Sequence, residues 1–256
     1  MRSIPVEAVV LKVIDYREAD IIATLFTREH GKLRGIAPNA RKSRKRFGGA
    51  LDIFARLALS IRLREGLSRI EEAAIISLSS RIREDMTKVA YAGYACELTD
   101  LLLPDGMPNH RYYRLLCAWL ERLDTAPPSP ADRRFYEINA LNILGYRPEL
   151  ERCTVCDGPF DGLSPLSFHP PAHALTCRDC AGAGIAITPR VPLLLRACLS
   201  TGRFGSVDFS PEELADAGTI LDNLIIAHAG KEPKSFRFLR EVVATSLTDE
   251  NAPTLP

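Results

Sequence analysis

The chain has 256 residues, of which 46% are hydrophobic and 25% charged, a composition typical of globular proteins with two or three compact units. No stretch approaches the roughly 18 uninterrupted apolar residues of a membrane span, and Glu7 stands where a signal peptide needs an apolar run. We therefore expect a cytoplasmic protein with no membrane partner. The net charge of +1 hides an asymmetry, since residues 1–80 carry a balance of +6 and residues 81–256 one of −5. The first third is thus a basic module suited to a polyanion.

Short extended patterns fill the first eighty residues. Clean alternation and β-rich composition predict five strands, joined in part by tight glycine turns. The predicted strands are residues 6–14, 21–27, 31–36, 53–63 and 67–78. Five strands of this length fit a small closed barrel, and the OB-fold is one of the few such barrels without a long open edge. Because OB-folds bind oligonucleotides, residues 1–80 are predicted to form an OB-fold DNA-binding domain.

A basic run joins the third predicted strand to the fourth. Within residues 28–46 eight side chains are cationic and only Glu29 is acidic. Most charge runs are solvated loops. This one contains serine and glycine, which let the backbone approach a phosphate, and it ends on Phe47, a candidate stacking platform. Clustered cations with an interleaved aromatic are typical of single-strand grooves, so the run predicts phosphate binding.

Beyond residue 80 the hydrophobic period becomes helical. Ser129 and Pro130 give a cap and a first-turn proline, Gly145 gives a stop, and Ser210 begins a capping box. The predicted helices span residues 86–102, 112–123, 130–144, 189–199 and 235–247, with another opening at Ser210. Residues 81–256 are therefore predicted to be a helical domain, interrupted by a metal-binding segment at 146–184. The tail 249–256 is predicted to be disordered.

Two Cys-x-x-Cys pairs, separated by the twenty residues 157–176, have the spacing of a tetrahedral zinc site. The predicted ligands are Cys153, Cys156, Cys177 and Cys180. Four thiolates at about 2.3 Å close the tetrahedron and leave no room for a reacting water, so we expect one structural Zn²⁺. The alternative is a set of coincidental free thiols in a loop. A role in touching nucleic acid is less favoured, because the pairs lack a basic cluster.

The remaining histidines and cysteines of interest are given structural roles. His169 and His173 lie between the two pairs and could substitute as ligands, but four cysteines already complete the shell. In a reducing compartment Cys96, Cys117 and Cys198 are interpreted as small buried side chains.

Catalytic motifs are missing from the chain: it has no P-loop, no His-Glu-x-x-His and no Gly-x-Ser-x-Gly. We therefore predict no catalytic residue and no enzyme activity. Arg133 and Arg134 begin the helix that leads to Gly145. An amphipathic helix explains this stretch, while two arginines beside an apolar groove would also suit the acidic peptide of a partner.

Three segments in this order carry a resemblance to a known family. They are the basic Gly31-Lys-Leu-Arg-Gly-Ile-Ala-Pro-Asn-Ala-Arg-Lys-Ser-Arg-Lys-Arg-Phe-Gly, then Leu144-Gly-Tyr-Arg-Pro-Glu-Leu-Glu-Arg-Cys-Thr-Val-Cys, and a later Cys-Arg-Asp-Cys. The chain resembles bacterial RecO over nearly its full length. The resemblance implies a nucleoid-associated recombination mediator of the RecF pathway. Such a protein binds single- and double-stranded DNA, partners with RecR and the tail of single-stranded DNA-binding protein, anneals strands and helps load RecA.

The resemblance also implies roles for particular residues. The DNA-binding stretch of the family matches Arg34, Arg41, Lys42, Arg44, Lys45 and Arg46. The four cysteines match the zinc form of the family, some members of which lack the metal. Arg133 and Arg134 fall where the helical domain of the family receives the single-stranded DNA-binding protein tail. The RecR surface is placed on the barrel only as a domain.

We hypothesise that the barrel neutralises phosphates of two strands while the helical domain docks on single-stranded DNA-binding protein, so that annealing needs no active site. Two alternatives remain open. One is a zinc-containing enzyme that processes nucleic acid, against which the missing catalytic motifs weigh. The other is an architectural adaptor that does not bind DNA, against which the +6 charge of residues 1–80 weighs.

Overall fold

The computed structural model describes the backbone of residues 2–249 and the side chains of residues 2–242. The chain divides into two compact units. The first contains the residues up to Pro127 together with the described residues from Pro233 onward, and the second is Pro128–Glu232. The predicted division at residue 80 therefore stays a prediction, and the predicted disordered tail lies outside the described residues except for the backbone of Asp249.

Five strands form a closed barrel at the start of the first unit: β1 (Ile4–Tyr16), β2 (Asp20–Thr27), β3 (Gly31–Ala37), β4 (Arg56–Arg62) and β5 (Leu67–Ser77). Their order is β1-β2-β3-β5-β4, with β4 antiparallel to β1 and β3 parallel to β5. Alternation sets the inward face, as Leu57, Leu59 and Ile61 of β4 are buried. The predicted α+β fold class, an N-terminal OB-fold barrel followed by helices, is confirmed.

Besides the short helix α1 (Arg44–Phe47) between β3 and β4, the described part of the first unit contains three long helices: α2 (Met86–Leu102), α3 (His110–Thr125) and α7 (Lys234–Asp249). Asp85 caps α2 by accepting hydrogen bonds from the backbone of its first turn. The fully buried Trp119 of α3 donates its indole N–H to the Tyr91 carbonyl of α2 at 3.3 Å. The Glu97 carboxylate of α2 accepts the first backbone N–H groups of α7 at 2.8 and 2.9 Å, which brings the end of the chain back to this unit.

The second unit combines three helices with a small sheet. The helices are α4 (Pro130–Leu144), α5 (Val191–Thr201) and α6 (Pro211–Ala229). The capping box at Ser210 is present in both halves, and Gly145 ends α4 in the left-handed region at φ 84°. Between α4 and α5 lies an antiparallel sheet that the sequence analysis did not predict, made of β6 (Leu166–His169), β7 (Ala174–Cys177) and β8 (Ile185–Ile187).

Within residues 2–249, none of the helices has the length and apolar character that crossing a membrane requires.

Candidate nucleic-acid interface and metal centre

The connection between β3 and β4 carries the basic run and is fixed to the barrel at both ends. It contains a single short helix, α1 (Arg44–Phe47). At its first end the Asn39 N–H donates to the Asp20 carboxylate at 2.9 Å, and the Arg41 N–H donates to the Ala19 carbonyl at 3.1 Å. At its second end the Phe54 N–H donates to the Val10 carbonyl of β1 at 3.0 Å. The loop therefore holds its cations at defined positions beside the β1–β2 turn.

The structure separates the six predicted DNA-binding residues into two groups. Within residues 2–242, four of them are exposed and have no acidic partner: Arg34, Lys42, Arg44 and Lys45. Arg41 forms an ion pair with Asp15. Arg46 is half-buried, donating to the Pro38 carbonyl at 2.9 Å and to the Ser43 hydroxyl at 3.1 Å. The four unpaired cations are therefore the ones best placed to meet phosphate, while Arg41 and Arg46 also hold the loop.

Three further residues of the run differ from expectation. Phe47 is only 1% exposed and belongs to the barrel core, so its prediction as a surface stacking platform is wrong. Burying this ring fixes α1 to the barrel, and burial is the more favourable place for a phenyl group. Lys32 is buried and paired with Asp100 and Asp105, and Arg28 is paired with Glu7 at 3.9 Å. Lys32 therefore serves the fold, whereas the Arg28 side chain is 57% exposed and its ion pair contributes little to stability.

Arg34 belongs to a part of the barrel surface that the sequence analysis did not single out. In register across the sheet, Lys12 of β1 pairs with Thr24 of β2, which pairs with Arg34 of β3. The neighbouring row places Ile14, 42% exposed, beside Ile22 and Ile36. The signal was the alternation along β1, which puts Lys12, Ile14 and Tyr16 on one outward face.

Arg34 also lines a cleft with Arg64 of the β4–β5 turn. OB-folds bind oligonucleotides across the face of strands two and three and through the loops joining strands one to two and four to five. Arg64 lies in the second of these loops and is exposed. It is therefore a further candidate contact, which the sequence analysis missed because it stands alone outside the basic run.

The four cysteines of the predicted metal centre are brought together in the second unit. Their sulfur atoms all lie within 4.8 Å of one another, and the Sγ atoms of Cys156 and Cys177 are 3.7 Å apart. A tetrahedral site with Zn–S bonds of about 2.3 Å requires S···S separations of about 3.8 Å. The cluster therefore has the size and the donor set of a closed four-thiolate metal centre.

The small sheet builds this centre. Cys177 ends β7, and the next turn returns Cys180 to the same side. The first Cys-x-x-Cys turn is fastened to β7 by Thr154, whose backbone N–H and hydroxyl both donate to the Leu175 carbonyl at 3.2 and 3.0 Å. The metal segment is thus a folded ribbon whose two halves meet at the sulfur cluster.

The environment of the thiols is uneven. Burial acts to raise the pKa of Cys153, but backbone hydrogen bonds to its sulfur, including that of Val155, lower it to about 6. The pKa of Cys180 is raised to about 12, first by its hydrogen bond with Cys177 and then by burial. Four adjacent thiolates repel one another, so complete deprotonation of the cluster needs a cation.

The other candidate ligands have separate roles in the described chain. His169 Nε2 lies 3.0 Å from the Thr176 hydroxyl, and His173 Nδ1 lies 3.0 Å from the Asn223 side-chain oxygen. Both histidines are outside the sulfur cluster. Of the remaining cysteines, Cys96 and Cys198 are buried, and burial raises the pKa of each to about 12; Cys117 is half-buried, and burial raises its pKa to about 11.

Arg133 and Arg134, the predicted contacts for a partner peptide, lie in an ion-pair cluster of the second unit. Arg133 binds Glu137 at 2.7 Å and Asp222 at 2.9 Å, and Arg134 binds the same two acids at 2.7 and 2.8 Å. The arginine side chains are 12% and 11% exposed, and that of Glu137 is fully buried. Both guanidinium groups are therefore occupied within the chain, and their contact with a partner stays a prediction.

The chain combines an OB-fold barrel that carries a basic connection with helices and a four-cysteine cluster, so it is an OB-fold protein with a candidate structural metal site. Comparison with known families identifies the protein further. Residues 1–79 match the model described as Recombination protein O N terminal, and residues 83–237 match Recombination protein O C terminal. The chain belongs to the Recombination protein O, or RecO, family.

Full-length relatives support this assignment. The chain is 46% identical over 242 residues to DNA repair protein RecO of Geobacter metallireducens, covering 94% of this chain and 99% of the relative. It is 47% identical over 244 residues to the protein of the same name in Geobacter sulfurreducens, with the same coverage. For Myxococcus xanthus the identity is 35% over 238 residues, covering 92% and 96%. The chain therefore matches these repair proteins nearly from end to end.

Proposed function

We propose that this chain is a DNA-binding recombination mediator that anneals complementary strands and has no catalytic site. The observation that carries the proposal is the set of exposed cations on the barrel, Arg34, Lys42, Arg44 and Lys45, which have no acidic partner within residues 2–242. The DNA-repair names of its relatives give the setting. Unpaired cations held on a rigid barrel bind phosphate without first breaking an internal ion pair.

The proposed mechanism is electrostatic. Two DNA strands repel through their phosphates, and each cation that contacts a phosphate lowers this repulsion and releases a counterion. An OB-fold surface bearing cations on a strand face and on the β3–β4 connection can hold strands close enough to pair. Base pairing then supplies the free energy of annealing, so the protein needs no reacting group.

The proposed partners are RecR at the barrel, the acidic tail of single-stranded DNA-binding protein at the helices and, through them, RecA. For the tail, the supporting observation is the pair Arg133 and Arg134 on α4. Their internal partner Asp222 is about one-third exposed, so a peptide carboxylate would have to displace it. The test measures the affinity of a labelled acidic peptide. Tighter binding to the Asp222→Asn variant, with α4 intact, would support this site. An affinity that neither Asp222→Asn nor Arg134→Gln changes would place the tail elsewhere.

We further propose that the metal is one structural Zn²⁺ held by Cys153, Cys156, Cys177 and Cys180. The sulfur separations described above fit the donor geometry of zinc, and the four thiols offer the soft donors that it prefers. A bound ion would cross-link the two halves of the ribbon and neutralise the thiolates. Metal content of the purified protein, measured with and without Cys177→Ser, tests this assignment.

The DNA-binding proposal is tested by reversing charge on α1. In the double variant Arg44→Glu/Lys45→Glu, we expect oligonucleotide affinity to fall at least about tenfold at low salt, and the slope of log K against log salt to flatten by about 1.4 for a single strand. The matched control is Lys231→Glu/Lys234→Glu, the same charge change at two exposed lysines outside the barrel, which should leave both quantities unchanged. Equal behaviour of the two variants, both with native circular dichroism, would remove α1 from the binding surface.

The two alternative functions give different results in the same preparation. A nucleic-acid-processing enzyme would cut or join a labelled oligonucleotide in the presence of Mg²⁺, whereas a mediator leaves it intact. An adaptor without DNA binding would show no salt-dependent affinity at either of two salt concentrations. For a recombination mediator we expect oligonucleotide binding that weakens with salt, no covalent change in the DNA, and faster pairing of complementary strands.

A further inference from the structure

A cleft of about 760 Å³ opens on the barrel beside the β3–β4 connection. Its floor consists of apolar side chains from the end of the barrel core, and charged groups line the rest of it. The apolar lining residues are Val13, Ile21, Ala40, Phe47 and Leu51, of which Phe47 is almost fully covered and offers little surface to a ligand; the charged ones are Arg41, Arg44 and Asp52. A concave site with an apolar floor and a few charged groups is the usual form of a small-molecule or nucleotide pocket.

The charged groups differ in how much they are already occupied. Arg44 has no acidic partner within residues 2–242, whereas Arg41 shares its charge with Asp15. Asp52 is paired with Arg83 at 3.1 Å, and its carboxylate also accepts the Ile53 N–H at 2.9 Å. Arg44 is therefore the group in the cleft with the most capacity for an added anion.

The backbone of the cleft is accessible as well. Gly48 and Gly49 are both left-handed, with φ of 52° and 78°, and a Cβ atom built on Gly49 would meet nothing within 4 Å. Both glycines are exposed and line the cleft. An open glycine pair lets a ligand approach the main chain more closely than a side chain would permit.

We propose that this cleft receives one unstacked nucleotide of a single strand, with its phosphate against Arg44 and its base over the apolar floor. The inference rests on the DNA-binding function proposed above and adds a base-contacting site to it. A nucleotide combines one anionic end with one flat, largely apolar end, which matches the two kinds of lining. Bases in a duplex are stacked and paired and cannot enter, so the cleft favours single strands.

The first test uses the unaltered protein. A thymidine 15-mer and the same oligonucleotide with abasic sites at its five central positions carry the same phosphates but differ in bases. A base that covers the aliphatic floor buries apolar surface, which is favourable, so we expect about tenfold weaker binding of the abasic strand at equal salt. A 2-aminopurine placed at the centre of the thymidine tract should also change its fluorescence on binding, because the base leaves its stacked neighbours.

The second test fills the cleft without changing charge. Ala40→Leu adds three carbon atoms at a position that lines the cleft, and it should make the thymidine and abasic strands bind alike. The matched control is Ala74→Leu, at an exposed position of β5 outside the cleft lining, which should keep the tenfold difference. Circular dichroism checks that both variants fold.

The outcomes separate the inference from the function on which it rests. Salt-dependent binding that is equal for the thymidine and abasic strands, with no fluorescence change, overturns the nucleotide site and leaves the electrostatic proposal standing. A tenfold difference that survives in Ala40→Leu places the base contact elsewhere and overturns the site too. If neither strand binds at any salt concentration, the proposed DNA-binding function itself is wrong.

Discussion

Two arginine-containing runs of this chain look alike in sequence and differ in environment. On the barrel, Arg44 and Lys45 are exposed and have no acidic partner within residues 2–242. In the second unit, Arg133 and Arg134 are nearly buried and share Glu137 and Asp222. A basic run therefore acquires its role from the acids that surround it: unpaired charge is available to a ligand, and paired charge stabilises a fold.

The second unit should be the part of the molecule most sensitive to loss of an internal partner. Replacing a proposed zinc ligand, as in Cys177→Ser, is expected to abolish binding of the proposed Zn²⁺ and to lower the free energy of unfolding by more than about 3 kcal/mol. Thermal unfolding with and without a chelator measures the effect. The melting temperature of the Cys177→Ser variant should not change when a chelator is added. Unchanged metal content and melting temperature would contradict a structural role for the cluster.

Removing the acid shared by the two buried arginines should have a similar effect. Glu137→Gln removes the buried acidic partner that Arg133 and Arg134 share, and breaking a buried ion pair in this way costs about 3–5 kcal/mol of stability. Glu241→Gln is the matched control, because its ion pair with Arg237 is exposed and contributes little to stability. Denaturant unfolding of both variants measures the difference. A Glu137 variant as stable as the Glu241 variant would show that the cluster does not support the fold.

The smallest expected effect concerns pH in the second unit. Burial, and then the nearby His173, lower the pKa of His228, whose ring stacks on Tyr146 with centroids 3.8 Å apart. A histidine with a depressed pKa binds fewer protons in the folded state, so its contribution to stability is present above a pH of about 6.5 and is lost as the pH falls below that value.

The pH effect can be measured at the residue itself. Proton NMR titration of His228 should give a pKa below 6.5, and His228→Phe should keep the stacked ring while removing the part of the acid dependence that His228 supplies. A titration midpoint above 6.5 would contradict the depressed pKa of His228.

Regular patterns made most of the fold predictable. Alternation identified all five barrel strands, and cap residues placed α4 at residues 130–144, where the structure has it. The small sheet of the metal segment was missed because its strands have only three or four residues, too few to show a period. The return of α7 to the first unit was also missed, because it depends on Glu97 meeting the start of a helix more than a hundred residues later.

The candidate sites were predictable where chemistry is local. The Cys-x-x-Cys spacing predicted that the four sulfur atoms lie together, and they do, because each turn fixes the positions of two of them. The availability of each cation was not predictable. Sequence shows that residues 28–46 are basic, but Lys32 is neutralised by Asp100 and Asp105, and Phe47 is drawn into the core; both depend on contacts that form only in the folded chain.

The most direct test neutralises the two runs in parallel. Arg44→Gln/Lys45→Gln and Arg133→Gln/Arg134→Gln remove the same charge, and each protein is assayed for oligonucleotide affinity and for thermal stability in one buffer. We expect opposite losses: the barrel variant keeps its melting temperature and loses about tenfold or more in affinity, while the α4 variant unfolds at a lower temperature and binds DNA as before. An α4 variant that loses DNA affinity while the barrel variant retains it would show that the unpaired cations of α1 do not bind DNA.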